Sequence, residues 1–362
     1  MSKCDSQRTF TELYSVRPAV IAEAPGRVNL IGEHTDYNGG MVLPAALPLG
    51  LQVALAPRAG DDALYIASEQ HAGVTVRAAD DSPTGHWSDH IVGALRAARE
   101  VGFVSEGLQV RVTSRLPQGS GLSSSAALIV ATLRAARELT GAEGSAMNDL
   151  ALAQLARQVE NDYLGIPCGI MDQMAVALGE VGMAMLLNTD TLDYELLPLP
   201  QNVSVCVVHS GITRRLGDGR YGARKRECDR ARYAFGAKSL CALDPREVES
   251  RHGIDELSRR RARHCATEHR RVIAAGHALR RADMDALGEL MRYSHLSMRD
   301  DFEMSLPMID ALVEDAQALG AIGARLTGGG FGGCIVALLA RGQRDRWYAQ
   351  LLEKHPQAFA VI

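Results

Sequence analysis

Apolar positions along the chain recur with two different spacings, which predict a mixture of strands and helices. Short alternating or continuous apolar runs are typical of strands. These runs are 51–56, 107–113 and 204–209. Longer stretches with apolar residues three and four positions apart predict helices. These stretches are 126–139, 148–163, 263–279 and 284–295. Gly141 is expected to end the first of these helices.

Strands and helices alternate without the regular β-α-β order of a doubly wound sheet, which favours an α+β fold. At 362 residues the chain is long enough for two domains. Two prolines interrupt the pattern in LPLPQN before a new strand, so we expect a boundary near Pro198–Asn202. This predicts an N-terminal lobe of residues 1–200 and a C-terminal lobe of residues 201–362.

Composition and charge are those of an ordinary globular protein. The net charge of −4 gives no reason to expect nucleic acid or an anionic membrane as partner. The arginine-rich segment 258–271 is helical in pattern and is interpreted as a solvated helix face. The seven cysteines are scattered and never in CxxC spacing, which argues against disulfides or zinc and for a reducing cytoplasm. The polar N-terminus, MSKCDSQRTF, does not resemble a secretory signal, and no window approaches a membrane span.

A first motif, APGRVNLIGEHTDYNGG, covers residues 24–40 and is crowded with polar side chains. Such a density of carboxylates and imidazole cannot be buried without partners. Carboxylates accept hydrogen bonds from adjacent sugar hydroxyls, and nearby His and Asn side chains can both donate and accept. The alternative is a polar turn in which Asp36 and Asn38 cap backbone groups.

A second motif, LPQGSGLSSSAAL, covers residues 116–128 and is a glycine-serine turn that runs into a helix. Gly119 and Gly121 allow close approach of a bound group, and the first N–H groups of the helix favour a phosphate. The alternative is a serine-capped helix after a flexible turn. No Walker A sequence occurs in the chain, so phosphates would be held by backbone N–H groups and serine hydroxyls.

A third motif, LTGGGFGGCIVALL, covers residues 326–339. Gly328, Gly330 and Gly333 match the GxGxxG spacing of dinucleotide sites, but a strand-like CIVALLA follows where such a site needs a helix. A glycine-rich loop over the phosphate or sugar side of a cleft fits better, and a tight turn between packed elements is the alternative.

A fourth segment, VENDYLGIPCGIMDQMA, covers residues 159–175 and carries two carboxylates of interest. Glu160 is expected on the polar side of a helix. Asp172 is flanked by Ile170 and Met171, and a carboxylate among apolar residues is a functional candidate unless it caps the next helix.

Together these segments resemble the GHMP family of small-molecule kinases, and within it the enzymes that phosphorylate galactose. Further matches are PCGIMDQ, HLSMRDDFEMSLPMIDAL and YGARKREC, so the resemblance extends from about Glu23 to Leu339. It implies two α+β lobes, the first like ribosomal protein S5 domain 2 and the second ferredoxin-like, with the active site in the cleft between them. The implied reaction is transfer of the γ-phosphoryl group of ATP to the anomeric hydroxyl of galactose, with Mg²⁺.

The resemblance also implies roles for individual residues. Asp172 matches the catalytic aspartate, which orients or deprotonates the sugar hydroxyl, and Arg27 matches the arginine that pairs with it. The implied sugar ligands are Glu33, His34, Asp36, Gly169, Asp172 and Tyr221. The implied nucleotide ligands are Trp87, Gly119, Ser120, Gly121, Leu122, Ser123, Ser124 and Ser125. The implied Mg²⁺ ligands are Ser125 and Glu160.

Several segments depart from the family pattern, namely 188–191, 209–216, 219–222 and His90. They leave the phosphate and catalytic motifs intact and affect the expected breadth of sugar specificity and the adenine pocket. Two alternatives are a related sugar 1-kinase and a non-catalytic sugar sensor with this fold. Ser125-Ala126, Arg27 and Asp172 favour an enzyme, for which we expect a cytoplasmic monomer or weak dimer.

Overall fold

A computed structural model of the chain describes residues 8–117, 119–141, 146–212 and 219–362. The strands are β1 (Val20–Asn29), β2 (Met41–Val42), β3 (Pro44–Arg58), β4 (Leu64–Ser68), β5 (His71–Arg77), β6 (Gly107–Ser114), β7 (Met183–Asn188), β8 (Tyr194–Pro198), β9 (Val203–His209), β10 (Gly323–Thr327), β11 (Cys334–Ala340) and β12 (Phe359–Ala360). The helices are α1 (Phe10–Tyr14), α2 (Asp89–Glu100), α3 (Ser124–Leu139), α4 (Asp149–Gln158), α5 (Met171–Leu178), α6 (Arg220–Phe235), α7 (Pro245–Ser250), α8 (Glu256–Arg280), α9 (Met284–Asp300), α10 (Pro307–Ala318) and α11 (Arg344–Lys354). A π-helical turn, Val159–Tyr163, continues α4.

The predicted α+β class is confirmed, and each of the predicted strands and helices is present within an element of the same type. The stretch predicted as one helix over 148–163 is α4 followed by the π-helical turn. Gly141 lies just beyond the end of α3, which finishes at Leu139 with Thr140 as its C-cap. The strand-like CIVALLA is strand β11, so the GxGxxG match is not followed by the helix of a dinucleotide site.

Two compact units divide the chain, and they are interleaved in sequence. The first unit comprises 1–26, 47–117 and 123–178, and the second comprises 27–46, 118–122 and 179–362. Neither unit ends at the boundary predicted near Pro198–Asn202, since the last change of unit along the chain falls between residues 178 and 179. Two short segments of the N-terminal half, 27–46 and 118–122, also belong to the second unit.

In the first unit, strands β3, β6, β4 and β5 are neighbours in a sheet, and β1 pairs with β3. The β3–β6 pair is antiparallel, whereas β4 and β6 run parallel, which requires the crossover that α2 supplies before β6. Helix α3 has small apolar residues on its buried face, and this permits close packing between helices. Helix α2 and the π-helical turn also pack closely in this unit, since a Cβ at Gly93 of α2 would lie 2.5 Å from the ring of Tyr163.

In the second unit, an antiparallel sheet has the strand order β10-β11-β9-β12. Strands β10 and β11 are buried along almost their whole length, as expected for strands covered by helices. The core of this unit includes Phe235, Phe302 and Trp347, whose indole N–H donates to the carbonyl of Ala316 at 2.9 Å. Among the described residues, no helix is both long enough and apolar enough to cross a bilayer.

The arginine-rich segment forms part of α8, as its pattern predicts, but its interpretation as a solvated face is wrong in part. Arg261 is only 1% exposed and forms ion pairs with Glu227 at 2.7 Å and Glu303 at 2.8 Å. Carboxylates from elsewhere in the unit make burial of this guanidinium possible. Arg270, in contrast, is exposed and pairs with exposed Asp244, as the interpretation requires.

Candidate active site

The loop that follows β1 is the signature loop, residues 30–40, and it belongs to the second unit. His34 in this loop has a left-handed backbone with φ of 60°, which is unusual for a side chain larger than glycine. Its ring nitrogen Nδ1 lies 2.6 Å from the hydroxyl of Tyr37, and its carbonyl accepts from Asn38 Nδ2 at 2.8 Å. Non-glycine residues in this conformation concentrate at functional sites, where surrounding contacts hold them.

Three of the predicted sugar ligands are near one another in the second unit. The ring centroids of His34 and Tyr221 are 5.2 Å apart. The ring centroid of Phe302 lies 4.6 Å from that of His34. Asp36 is half-buried two residues after His34. An imidazole, a carboxylate and a phenol together can recognise the hydroxyl groups of a sugar.

Glu33 is 1% exposed, and both of its carboxylate oxygens have partners within the protein. Asn29 Nδ2 donates to Oε2, the backbone N–H of Gly328 donates to Oε1 at 2.7 Å, and Arg325 Nη1 is 3.6 Å from Oε1. Burial raises the pKa of Glu33 against the opposing effect of Arg325 and Asn29. Glu33 therefore joins the signature loop to the start of the third motif, and its predicted contact with sugar stays a prediction.

The third motif is a turn between β10 and β11 that is tied to the end of β1. The Thr327 hydroxyl donates to the carbonyl of Asn29 at 3.0 Å and accepts from the Asn29 N–H at 3.2 Å. Phe331 has φ of 61°, and a Cβ at Gly330 would lie 2.8 Å from atoms of Met304. The turn is thus packed closely against its surroundings, as the alternative of a tight turn requires, and its place over a bound ligand stays a prediction.

The glycine-serine turn has the backbone that its sequence predicts. Gly119 and Gly121 have φ of 67° and 76°, and α3 begins directly afterwards at Ser124. The N-cap of α3 is Ser123, which has φ of 60° and makes no side-chain cap. The Ser123 hydroxyl donates instead to Asp172 Oδ2 at 2.7 Å, so the alternative of a serine-capped helix is wrong. Gln118 of this motif lies outside the described residues.

Arg27 is fixed to the part of this turn that belongs to the second unit. Its guanidinium donates to the carbonyl of Gly121 at 2.7 Å, and its N–H donates to the carbonyl of Leu122 at 3.2 Å. The side chain is 4% exposed. The predicted pairing of Arg27 with Asp172 concerns residues of different units and stays a prediction.

Glu160 and Ser125 are joined by a hydrogen bond in the first unit, where the resemblance predicts two Mg²⁺ ligands. Glu160 is 5% exposed and lies in the π-helical turn, so its expected place on the polar side of a helix is wrong. Burial raises the pKa of Glu160 to about 7, and the charge of Asp172 acts in the same direction. Gln173 Nε2 also donates to this carboxylate.

This donor set fits Mg²⁺, because the ion prefers oxygen ligands such as a hydroxyl and a carboxylate and usually keeps several waters. The charge of Asp172, which acts with burial to raise the pKa of Glu160, also favours a cation beside that carboxylate. In the parts of the chain that the structure covers, no three His, Cys, Asp or Glu side chains converge in a way that could hold a metal by themselves. Water and substrate phosphates commonly supply the remaining ligands of Mg²⁺.

The remaining predicted residues are Trp87, Ser120, Ser124 and Gly169. Trp87 is half-buried, and its ring stacks on His71 with centroids 4.6 Å apart and planes 3° apart. Ser120 is buried, Ser124 is exposed on the first turn of α3, and Gly169 is buried two residues before α5. Of the departures, 213–216 lies outside the described residues.

The sequence interpretation missed three buried charged or polar side chains, His264, Glu268 and Arg325. They contact the signature loop, with exposures of 0% for each of the three. His264 and Glu268 are four residues apart on α8, which places them on one helix face. That spacing, within a segment that was interpreted as solvated, is the signal that could have identified them.

Comparison with known proteins agrees with this arrangement. Residues 8–57 match the galactokinase galactose-binding signature, 89–180 match the GHMP kinases N terminal domain, and 277–357 match the GHMP kinases C terminal domain. The chain is 39% identical to a galactokinase of Roseiflexus sp. (strain RS-1), over 96% of this chain and 90% of the relative. It is 40% identical to a galactokinase of Canis lupus familiaris, over 92% of this chain and 87% of the relative.

A solved structure shows the same relationship. The galactokinase of Lactococcus lactis, crystallised as a complex with galactose, matches with a TM-score of 0.90 and 31% identity, over 97% of this chain and 95% of that chain. The expected fold of the GHMP kinases is thereby confirmed. On these grounds the chain belongs to the galactokinase family of the GHMP kinases.

Proposed function

We propose that this protein transfers the γ-phosphoryl group of ATP to the anomeric (C1) hydroxyl of galactose, giving galactose 1-phosphate and ADP. Such a step would commit galactose to further metabolism. The observation that carries the proposal is the 2.7 Å hydrogen bond from Ser123 to Asp172, because it brings a carboxylate beside the point where the glycine-serine turn meets the start of α3. The family relationship supplies the sugar.

Asp172 is the proposed catalytic residue, which orients the C1 hydroxyl or accepts its proton. The hydrogen bond from Ser123 fixes the direction of one carboxylate oxygen. Phosphoryl transfer depends mostly on positioning and on stabilisation of charge, so a correctly oriented acceptor hydroxyl is the main requirement. Arg27, which is anchored to the carbonyl of Gly121, would supply positive charge to the transferring group.

The sugar would be held by His34, Asp36 and Tyr221, whose imidazole, carboxylate and phenol lie in one unit. Glu33 and the backbone at Gly169 are the further proposed contacts. Asn29 and Gly328 donate to the two oxygens of Glu33, so the carboxylate would be held rigidly when it contacts the sugar. Rigid placement of hydrogen-bonding groups favours discrimination between sugars that differ in one hydroxyl.

The phosphates of ATP would lie against the turn and the first N–H groups of α3, the proposed contacts being Gly119, Ser120, Gly121, Leu122, Ser123, Ser124 and Ser125. Ser125 and Glu160 would hold Mg²⁺, which when bound neutralises charge on the phosphate oxygens. Trp87 is the proposed contact of the adenine.

We also propose that the protein works as a monomer or weak dimer in the cytoplasm, with neither nucleic acid nor membrane as partner. Among the described residues, six cysteines are free thiols, and all but Cys168 are buried. Unpaired thiols are typical of a reducing compartment.

An assay of ADP release with galactose and ATP tests the proposed chemistry. Asp172→Asn should lower turnover by roughly 10²-fold or more while calorimetry still detects binding of galactose and ATP. Asp162→Asn, which alters an exposed carboxylate ten residues earlier, is the matched control and should keep wild-type turnover. Near wild-type turnover of Asp172→Asn would overturn the assignment of the catalytic residue.

The same assay with a panel of hexoses, pentoses and 2-acetamido sugars tests the substrate. We expect galactose to give the highest kcat/KM. Preference for a 2-acetamido sugar or a pentose would identify a different sugar 1-kinase, and binding of galactose without any turnover would identify a sensor. Either of these results would contradict the proposal.

A further inference from the structure

One buried face of helix α8 lies against the backbone of the signature loop. His264, Glu268 and Val272 are spaced four residues apart, so they form a single stripe on the helix. Each of them is 0% exposed. A Cβ at Gly32 would lie 2.9 Å from Val272 Cγ2, which shows how closely the loop backbone approaches this stripe.

Glu268 accepts a hydrogen bond from the backbone N–H of Gly32 at 2.9 Å. The same oxygen accepts from Ser294 at 2.5 Å, and the other oxygen accepts from Arg271 Nε at 2.7 Å. Arg325 Nη2 lies 4.0 Å from the carboxylate. Two guanidiniums keep this buried group ionised, so its bond to Gly32 is charge-assisted and stronger than a bond between neutral groups.

His264 holds the carbonyl of Glu33, the residue that follows Gly32 in the signature loop. Its Nε2 lies 3.0 Å from the Glu33 carbonyl oxygen, and since a carbonyl only accepts, this nitrogen must donate. Its Nδ1 lies 3.0 Å from the hydroxyl of Ser297, which fixes the plane of the ring. The helix thus holds the Gly32 N–H through the buried acceptor Glu268 and the Glu33 carbonyl through the buried donor His264.

These contacts fall next to two residues of the loop that have positive φ. Gly32 has φ of 107° and His34 has φ of 60°, so left-handed residues stand on both sides of Glu33. Such a conformation persists only where surrounding interactions hold it. The conformation directs the side chains of Glu33 and His34, which are proposed sugar contacts.

We propose that Glu268 and His264 are positioning residues for the sugar site: through the Gly32 N–H and the Glu33 carbonyl they hold the loop backbone that presents Glu33 and His34. The inference rests on the proposed function, because it assumes that this loop binds galactose. Neither residue is assigned a contact with substrate.

The first test is Glu268→Gln, which keeps an acceptor oxygen but removes the charge. We expect the KM for galactose to rise about tenfold or more, since the hydrogen bond from the Gly32 N–H would no longer be charge-assisted. The KM for ATP should change less than about twofold, because the loop is not a proposed nucleotide contact. Thr267→Val is the matched control on the same helix, since the Thr267 hydroxyl donates only to carbonyls of its own helix.

A pair of His264 variants keeps the inference testable if Glu268→Gln does not fold. His264→Gln retains a side-chain N–H that can reach the Glu33 carbonyl, whereas His264→Leu retains bulk without a donor. Galactose affinity, measured by calorimetry without ATP, should be lost by roughly tenfold in the Leu variant and largely kept in the Gln variant.

Equal losses in the Gln and Leu variants, or equal changes in the galactose and ATP constants, would overturn the inference. Failure of the proposed function would give a different result, since the wild-type protein would then show no galactose-dependent release of ADP. Wild-type turnover of galactose therefore tests the proposed function, and the pattern among the variants tests the positioning role of Glu268 and His264.

Discussion

Glu268 and Glu160 are both carboxylates removed from water, yet the charges around them are opposite. Burial acts to raise the pKa of each. At Glu268 the guanidiniums of Arg271 and Arg325 outweigh burial and lower the pKa to about 2. At Glu160 the nearby charge is another carboxylate, Asp172, and the pKa rises to about 7. The difference depends on the neighbours and not on the extent of burial.

This difference separates two kinds of buried acid. Glu268 has its counter-ions within the protein, so it can stabilise the signature loop without a ligand. Glu160 accepts hydrogen bonds from Gln173 and Ser125, and the nearby charge of Asp172 has the same sign as its own. A carboxylate in that state gains most from a cation that arrives with the substrate, as the proposed Mg²⁺ does.

The largest effect is expected when a counter-ion is removed from the Glu268 region. Arg325 is 0% exposed and lies within 4.0 Å of Glu268 and 3.6 Å of Glu33. Arg325→Met should lower the free energy of unfolding by roughly 3–5 kcal/mol, because it leaves buried carboxylates uncompensated. Urea denaturation followed by circular dichroism measures this. The double variant with Glu268→Gln should lose less than the sum of the two single changes, and simple additivity would contradict the coupling.

A second effect depends on pH and on His264, which lies in the same stripe of α8 as Glu268. Burial lowers the pKa of His264 to about 4, whereas the unfolded chain takes up its proton near the ordinary value of 6.5. The unfolded state therefore binds more protons between these pH values, and the free energy of unfolding should fall by about 3 kcal/mol as the pH drops from 6.5 to 4.

His264→Gln cannot titrate, so its stability should depend less on pH in that window than the stability of the wild-type protein. Urea denaturation at several pH values gives the difference between the two curves. Other histidines titrate equally in both proteins and cancel. Parallel curves for variant and wild type would show that His264 is not held neutral by its surroundings.

A smaller effect of the opposite sign is expected at Glu160. Its pKa is raised from 4.5 to about 7, so the native state binds more protons than the unfolded state between these values, and this contribution to stability is lost as the pH rises. Glu160→Gln should therefore stabilise the protein without ligands, and this stabilisation should be about 2.5 kcal/mol larger at pH 8 than at pH 5. Thermal denaturation at both pH values measures the difference.

The same variant should lose the stabilisation that Mg²⁺ with ADP gives to the wild-type protein, because a proposed ligand is gone. Destabilisation at pH 8 would show that Glu160 is ionised and well compensated without a cation. In that case the contrast with Glu268 would not hold.

Local pattern was sufficient to predict most elements but not their partners. Apolar spacing in α3 and in strand β11 identifies both, because each buries one face or both faces against neighbours. The π-helical turn at Val159–Tyr163 has no such signal, since a single inserted residue leaves the apolar pattern almost unchanged. That inserted residue accompanies the burial of Glu160, which the spacing of an α-helix would place on the polar side.

At the candidate site, motif density identified the loops that carry polar side chains, whereas the groups that hold those loops were missed. Glu268 and His264 lie in an arginine-rich segment, and composition cannot distinguish an arginine paired with a buried acid from one in water. Arg325 is more than 290 positions from its partner Asn29, so no local pattern connects them. Which carboxylate meets which guanidinium is decided by tertiary packing.

The smallest effect is expected at Arg270, which is adjacent to the arginine of α8 that pairs with buried Glu268. Arg270 is 55% exposed and pairs with Asp244, which is 52% exposed, whereas adjacent Arg271 is 15% exposed and pairs with buried Glu268. Solvent screens the first pair, and ordering two long exposed side chains offsets its attraction. Arg270→Met should therefore leave the urea midpoint unchanged within error, whereas Arg271→Met should lower it clearly. Similar losses in the two variants would mean that charge on α8 acts collectively, and that the buried partner of Arg271 is not what distinguishes it.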